Sequence, residues 1–175
     1  MPQVDYPEIV TDARSGLRER YSTPFVNINL DTSTAVYELD FTVREFEAAR
    51  IRIALINGCT VCMGFRRGRD PSMSLADLPA DLPGDDFYEA VPNWRTATLF
   101  SDRERLAIEF AERFALDHIS LDHDEGFWKR MHDHFSDREI VELSLAVGHF
   151  IGVGRTIHVL GLDAACPVPR SMMPA

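Results

Sequence analysis

The feature that most constrains the fold is a helix-start signal that occurs three times in the chain. Each signal places a Ser or Thr three residues before a Glu. In such a capping box the hydroxyl and the carboxylate satisfy backbone amides that the first turn of a helix leaves without partners. The boxes are Thr42 with Glu45, Ser101 with Glu104, and Ser136 with Glu139. Apolar residues at intervals of three or four follow each box: Phe46, Ala49, Ile53 and Ile56; Leu106, Phe110 and Phe114; Ile140, Leu143 and Val147. The sequence therefore predicts three amphipathic helices.

The rest of the chain adds helix but no sheet. A fourth helix is expected over about residues 122–134, and no stretch alternates at the period of a strand, so we predict an all-α helical bundle. Prolines and aspartates crowd residues 70–93, which predicts an ordered excursion with one or two short turns. We expect an arm over residues 1–40, a single helical domain over 41–162 and a tail over 163–175.

Size and charge narrow the class of protein. The 175 residues are 45% apolar and 26% charged, which suits one globular domain that needs no disulfide staples or structural metal. The net charge of -10 repels phosphate backbones and anionic lipid, so we expect neither nucleic acid nor a membrane as a partner. The first residues show no signal-peptide pattern, and the odd count of three cysteines argues against a disulfide framework. We therefore expect a cytoplasmic protein.

The last apolar segment, residues 140–162, is predicted to be a buried core helix and not a membrane span. Charged or polar side chains interrupt it at Glu142, His149, Arg155 and His158. It also contains three glycines that each cost up to about 1 kcal/mol in a helix interior. These are Gly148, Gly152 and Gly154. Glycines let another backbone approach closely, so this helix is expected to pack at the centre of the domain or at a subunit contact.

The segment with the clearest chemistry contains two cysteines three residues apart. Cys59 and Cys62 would share one helix face, close enough to form a disulfide, which is the geometry of a dithiol redox pair. Asn57-Gly58 predicts a break between helices, which places both cysteines in the first turn of a new helix. The helix dipole and the fixed charges of Arg66, Arg67 and Arg69 downstream would stabilise a thiolate there.

Other interpretations of the cysteines stay open. Zinc needs four ligands, and beyond this pair only Cys166 and a distant histidine could serve, so we expect no metal. The two cysteines could also be buried and inert. Glu47 lies twelve residues before Cys59, about 18 Å along a straight helix, and only the break could bring the two together. Alternatively, Glu47 pairs with Arg44, Arg50 or Arg52 on a solvated face.

Glu47, eleven further residues and then Cys59-x-x-Cys62 resemble the core motif of the carboxymuconolactone decarboxylase-like, alkyl hydroperoxidase D-like (AhpD-like) superfamily. The resemblance extends over about residues 40–162. It implies an all-α bundle, a homo-oligomer and thiol-dependent peroxide chemistry. In that chemistry Cys62 attacks the peroxide, Cys59 resolves the sulfenic acid as a disulfide, and Glu47 belongs to a proton relay.

The chain departs from the redox branch of that family at two positions. Arg66 and Val61 stand where the branch usually carries histidines. An arginine can stabilise the Cys62 thiolate, but it does not deprotonate and cannot carry a proton. His149 or His158 of the last helix could replace the missing relay, and we take His149 as a candidate. The decarboxylase branch does not depend on a Cys-x-x-Cys pair, so that activity is disfavoured.

The helix-dipole argument and the family resemblance select different cysteines as the nucleophile. The helix dipole favours Cys59, which is nearer the helix start, whereas the family assigns attack to the second cysteine. We take Cys62 as the nucleophile because it shares a helix face with Arg66.

The sequence thus predicts a peroxidase or disulfide oxidoreductase whose partners are a hydroperoxide and an external thiol reductant. No flavin or nicotinamide motif is present, so no cofactor is expected. Two alternatives remain. One is a non-catalytic oligomer that senses redox state or binds a ligand. The other is a lyase or isomerase that acts on a small carboxylated substrate held by the arginines.

Overall fold

The computed structural model describes residues 41–66 and 82–161, and all regular structure in these ranges is helical. The seven α-helices are α1 Val43–Asn57, α2 Thr60–Gly64, α3 Asp85–Ala90, α4 Asp102–Leu116, α5 His118–Asp122, α6 Glu125–His134 and α7 Asp137–Val159, with a 3₁₀ turn Val91–Asn93 after α3. The predicted all-α class is confirmed. The predicted arm, the first part of the 70–93 excursion and the tail with Cys166 lie outside the described residues.

All three predicted capping boxes are present, and they begin α1, α4 and α7. Their glutamates also form ion pairs between helices. Arg103 of α4 pairs with Glu45 of α1 and with Glu139 of α7, and Arg44 of α1 pairs with Glu104 of α4 at 2.6 Å. The residues that start the three helices therefore also join their N-terminal ends.

Two apolar clusters form the core, one on each side of α1. The larger cluster packs α1 against α4, α6 and α7 and includes Phe46, Ile53, Phe110, Phe127 and Leu143. The smaller cluster packs the opposite side of α1 and part of α4 against α3 and the turn that follows it; its members include Ala48, Ile51, Phe87, Val91 and Ile108. Residues 82–93 carry the short turns that the sequence predicts, and they are an integral part of the core.

Helix α7 is buried on one face only. Leu143, Ala146 and Val147 face the core, whereas Val141 and Leu145 are among the exposed large apolar side chains. The predicted buried core helix is therefore correct for the inner face and wrong for the outer one. Among the described residues, α7 is long and apolar enough to cross a membrane, with a mean hydropathy of 1.4, which for a single helix is weak evidence of a membrane span.

The predicted break between α1 and α2 is confirmed at Gly58. Gly58 ends α1 in the left-handed conformation, with φ of 67°, a region that glycine adopts without a Cβ clash. Helix α7 supports this junction, because the Asn57 Nδ2 donates to the Phe150 carbonyl at 2.9 Å. A Cβ on Gly154 would lie 2.5 Å from that Nδ2, so this glycine admits a close contact, made by a side chain and not by the backbone that the sequence predicts, and no described atom lies within 4 Å of a Cβ on Gly148 or Gly152.

Replacement of Gly58 tests the importance of the junction. Gly58→Ala should lower the free energy of unfolding by about 1 kcal/mol, because an L-residue in the left-handed region costs roughly 1–2 kcal/mol. Gly58→Asn is the matched control and should lose less, because Asn tolerates this conformation better. Urea denaturation followed by circular dichroism measures both changes. Equal stability of all three proteins would show that the left-handed turn does not constrain the junction.

Candidate active site

The two cysteines lie at the start of α2, as the sequence predicts, and form a disulfide with a Cα–Cα distance of 5.3 Å. Cys59 is the N-cap residue of α2, and its Sγ accepts a hydrogen bond from the Cys62 amide at 3.3 Å. The side chain of Cys59 is fully buried, whereas Cys62 is partly exposed. The structure thus contains a dithiol pair in its oxidised form, in which one cysteine is fully buried and the other is partly exposed.

Glu47 is fully buried on α1 and accepts charged and neutral hydrogen bonds. Arg50 binds it through two parallel contacts, from Nε to Oε1 at 2.6 Å and from Nη2 to Oε2 at 2.8 Å. The Tyr88 hydroxyl donates to Oε2 at 2.7 Å. The alternative of an arginine partner is therefore correct, but the expected solvated face is wrong. These donors stabilise the ionised carboxylate in a site without solvent.

Arg50 connects this carboxylate to the cysteine helix. Its Nη1 donates to the Cys62 carbonyl at 2.7 Å, and its Nη2 also donates to the Phe65 carbonyl at 2.8 Å. The guanidinium therefore holds the middle and the C-terminal end of the short helix against α1. Glu47 and Cys62, which the sequence separates by fifteen residues, are linked through this single side chain.

Arg66 and Tyr88 cover the buried pair. The Arg66 guanidinium lies 3.9 Å from the centre of the Tyr88 ring, and its Nη1 donates to the carbonyls of Phe65, at 3.0 Å, and Met63. Burial lowers the pKa of Arg66 from its usual range. Burial, followed by the nearby Glu47 charge, raises the pKa of Tyr88 far above its ordinary value, so its hydroxyl stays protonated and donates. The hydrogen bonds of Arg66 thus go to the turn after Cys62.

The two candidate histidines occupy different places on α7. His149 is half-buried, and its ring packs against Phe150 at 5.1 Å between ring centres. Burial lowers the pKa of His149 from its usual value. The exposed His158 lies beside the cysteine loop, because a Cβ on Gly58 would be 3.4 Å from its ring.

The structure brings four predicted site residues together, namely Cys59, Cys62, Glu47 and Arg66. It adds Arg50 and Tyr88, for which the sequence predicts no role in the site. From the sequence, Arg50 is only a possible surface partner for Glu47. Tyr88 lies in the Pro- and Asp-rich segment, forty-one residues from Glu47, and no spacing relates it to the cysteines. Among the described residues, no group of three or more His, Cys, Asp or Glu side chains could hold a metal.

The Glu47–Arg50 pair should contribute to stability through coupling. Arg50→Gln leaves a buried carboxylate without its cation, and we expect a loss of about 3–5 kcal/mol in the free energy of unfolding. The double variant Glu47→Gln/Arg50→Gln should lose less than the sum of the single variants, because no uncompensated charge remains. Urea denaturation of the wild type, the two single variants and the double variant gives the free energies of unfolding for this double-mutant cycle. Strictly additive losses would contradict a coupled pair.

The lowered pKa of His149 makes stability depend on pH. The unfolded chain takes up a proton near pH 6.5 and the folded chain only at lower pH, so the free energy of unfolding should fall as pH drops below about 6.5. His149→Gln should reduce the difference between urea midpoints at about pH 7.5 and about pH 5.5. His118→Gln, at an exposed site, is the control. If the urea midpoints of His149→Gln differ between the two pH values as much as those of the wild type, the pH dependence does not arise from His149.

No protein-family model matches the chain. A comparison with solved structures agrees with the fold described above. A crystal structure of an Agrobacterium tumefaciens protein of unknown function, provisionally assigned to antioxidant defence as AhpD, superposes with a TM-score of 0.62 over 92% of this chain and 96% of that chain, at 16% identity.

A curated relative matches by sequence. The uncharacterized protein YnjA of Escherichia coli strain K12 is 32% identical over 110 residues, which are 63% of this chain and 54% of YnjA. The chain therefore spans about half the length of this relative. The structural likeness confirms what the Glu and Cys-x-x-Cys motif predicts for the architecture: the chain has an AhpD-like fold.

Proposed function

We propose that the protein is a thiol-dependent peroxidase or disulfide oxidoreductase of the AhpD-like superfamily. The observation that carries the proposal is the Cys59–Cys62 disulfide, with one buried and one partly exposed cysteine, joined by Arg50 to a fully buried glutamate. The provisional antioxidant assignment of the Agrobacterium protein agrees with this chemistry. The proposed partners are a hydroperoxide and an external thiol, and no cofactor takes part.

The proposed cycle has three steps. The Cys62 thiolate attacks the terminal oxygen of the hydroperoxide, the O–O bond breaks, and the alkoxide takes a proton and leaves as an alcohol. Cys62 is then a sulfenic acid, and the Cys59 thiol displaces its hydroxyl as water to form the disulfide. Two external thiols reduce that disulfide by exchange and leave as one oxidised disulfide.

Exposure supports Cys62 as the nucleophile. A hydroperoxide must reach the attacking sulfur, and Cys59 has no accessible surface, whereas Cys62 is partly exposed. Buried Cys59 needs only to reach its neighbour, which it does in the disulfide. Exposure and the family resemblance thus both favour Cys62, whereas the helix-dipole argument favours Cys59.

The proton carrier is the part of the proposal in which this chain differs from the redox branch. Glu47 accepts three hydrogen bonds from Arg50 and Tyr88, which hold it ionised, and Arg66 does not release its proton. We assign the transfer to an imidazole of α7. His158, whose ring lies against Gly58, is beside the loop, and His149 is half-buried at the contact between α7 and α1.

We also propose a homo-oligomer in the cytoplasm, where thiol reductants keep such a pair in turnover. The described arginines give the lyase or isomerase alternative less support, because Arg50 and Arg66 donate to Glu47 and to backbone carbonyls. These contacts leave the two guanidinium groups inside the fold and not in a substrate site. Arg67 and Arg69 lie outside the described residues.

Reaction of the reduced protein with peroxide tests the function. We expect hydrogen peroxide or an organic hydroperoxide to form the Cys59–Cys62 disulfide at least about 100-fold faster than it oxidises free cysteine, because positioned acid–base groups contribute roughly 10²–10⁴-fold. Stopped-flow fluorescence gives the rate and mass spectrometry the product.

The matched variants assign the roles. Cys62→Ser should abolish rapid oxidation, whereas Cys59→Ser should still consume one equivalent of peroxide and stop at a sulfenic acid that dimedone traps. Turnover should then require an added thiol. Thiols that react no faster than free cysteine would contradict the peroxidase proposal. A disulfide that forms but does not turn over would favour the redox-sensing alternative.

A further inference from the structure

Tyr88 of α3 supports the two arginines that hold the cysteine helix α2. Its hydroxyl donates to Glu47 Oε2 at 2.7 Å, and the same oxygen accepts from Arg50 Nη2 at 2.8 Å. The ring of Tyr88 carries the Arg66 guanidinium, 3.9 Å from its centre. One buried side chain from the Pro- and Asp-rich segment thus reaches one arginine through a carboxylate and the other through its π face.

Both arginines donate to backbone carbonyls in the middle and at the C-terminal end of α2. Arg50 binds the carbonyls of Cys62 and Phe65, and Arg66 binds those of Phe65 and Met63. Helix α2 has only five residues, and an isolated helix of that length is unstable in water. The turn that carries Cys62 therefore depends on contacts from outside the helix, among which those of the two arginines are prominent.

Two cations that share one carbonyl acceptor need compensation, because like charges at that distance repel. The Glu47 carboxylate offsets the charge of Arg50, and the π face of Tyr88 attracts the guanidinium of Arg66. The Tyr88 hydroxyl adds a donor to the fully buried carboxylate, and hydrogen bonds to charged groups are among the stronger ones in proteins. Loss of the Tyr88 contacts should therefore loosen both guanidinium groups and, with them, the turn at Cys62.

The position of this turn matters more to the disulfide than to the two thiols. A disulfide forms only where the backbone keeps the two cysteines within a narrow range of separations, and the Cα atoms of Cys59 and Cys62 are 5.3 Å apart. Two free thiols tolerate a looser turn. Contacts that hold the turn therefore stabilise the oxidised form relative to the reduced form, and by reciprocity the disulfide strengthens those contacts.

We propose that Tyr88 is a positioning residue that favours the Cys59–Cys62 disulfide over the two thiols. It acts through Arg50 and Arg66, which it holds against α2, and it takes no part in any bond change. Helix α3 thereby controls how readily an external thiol reduces the site. The inference rests on the proposed function only in that the cysteine pair cycles between dithiol and disulfide.

Redox equilibration of Tyr88→Phe tests the role, because this variant keeps the ring on Arg66 and removes the hydroxyl. In a dithiothreitol buffer the reagent dithiol gives two electrons and two protons to the protein disulfide and closes to its own cyclic disulfide. We expect the equilibrium constant for formation of the protein disulfide to fall about tenfold. For a two-electron couple this is about 30 mV toward a less negative potential. Mass spectrometry after alkylation of the free thiols measures the reduced fraction.

Trp94→Phe is the matched control. Trp94 belongs to the same core cluster as Tyr88, and its Nε1 also donates to a carboxylate, that of Glu112, at 3.1 Å. Glu112 pairs with Arg52 and Arg95, neither of which binds α2 among the described contacts. Trp94→Phe should therefore lose stability and keep the wild-type potential. An unchanged potential in Tyr88→Phe, or an equal shift in Trp94→Phe, would overturn the proposal.

Hydrogen exchange of the wild type tests the reciprocal effect and does not depend on whether a variant folds. Backbone amides of α3 and of the turn after it should exchange about tenfold faster once the disulfide is reduced, whereas those of α6 should not change. Equal exchange of α3 in the oxidised and reduced proteins would overturn the proposal. None of these measurements uses a peroxide, so failure of the peroxidase proposal and failure of this inference give different results.

Discussion

The buried pair of Glu47 and Arg50 is the interaction on which the rest of the site depends. Two charges without solvent are costly unless their hydrogen-bonding capacity is used, and here it is used by neighbours from different elements. Tyr88 of α3 donates to the carboxylate, and the carbonyls of Cys62 and Phe65 accept from the guanidinium. The pair therefore fixes α2 and α3 against α1, and it favours this arrangement over any packing that leaves a charge unpaired.

A second support acts on the cysteine loop from the other side. Asn57 donates to the Phe150 carbonyl and accepts from Arg155, so the end of α1 is held by α7, and Gly154 permits the close contact. The dithiol thus lies between a junction fixed by α7 and a short helix fixed by Arg50. These supports on both sides hold the backbone that carries the two cysteines, which is the positioning that a dithiol pair needs.

The parts of this structure that the sequence predicts are those encoded by neighbouring residues. Capping boxes, apolar periodicity and the Asn57-Gly58 break act within one or two turns, and the helices begin where those signals lie. Tyr88 and the burial of Glu47 arise from packing between distant segments. Glu47 lies among Arg44, Arg50 and Arg52, a pattern that is equally typical of a solvated face, and only the second core cluster on this side of α1 makes it interior.

The arginine at position 66 changes what the site can do under the proposed chemistry. A histidine there could exchange a proton, whereas Arg66 stays charged, stacks on Tyr88 and binds the carbonyls after Cys62. Under the proposed chemistry, the charge of Arg66 near α2 would favour a thiolate at reduced Cys62, whereas the charge of Arg50 is already paired with Glu47. Activation of the thiol and delivery of a proton to the leaving alkoxide are then separate tasks. In the proposed cycle Arg66 performs the first task, and we assign the second to the imidazoles of α7, which lie outside the buried network.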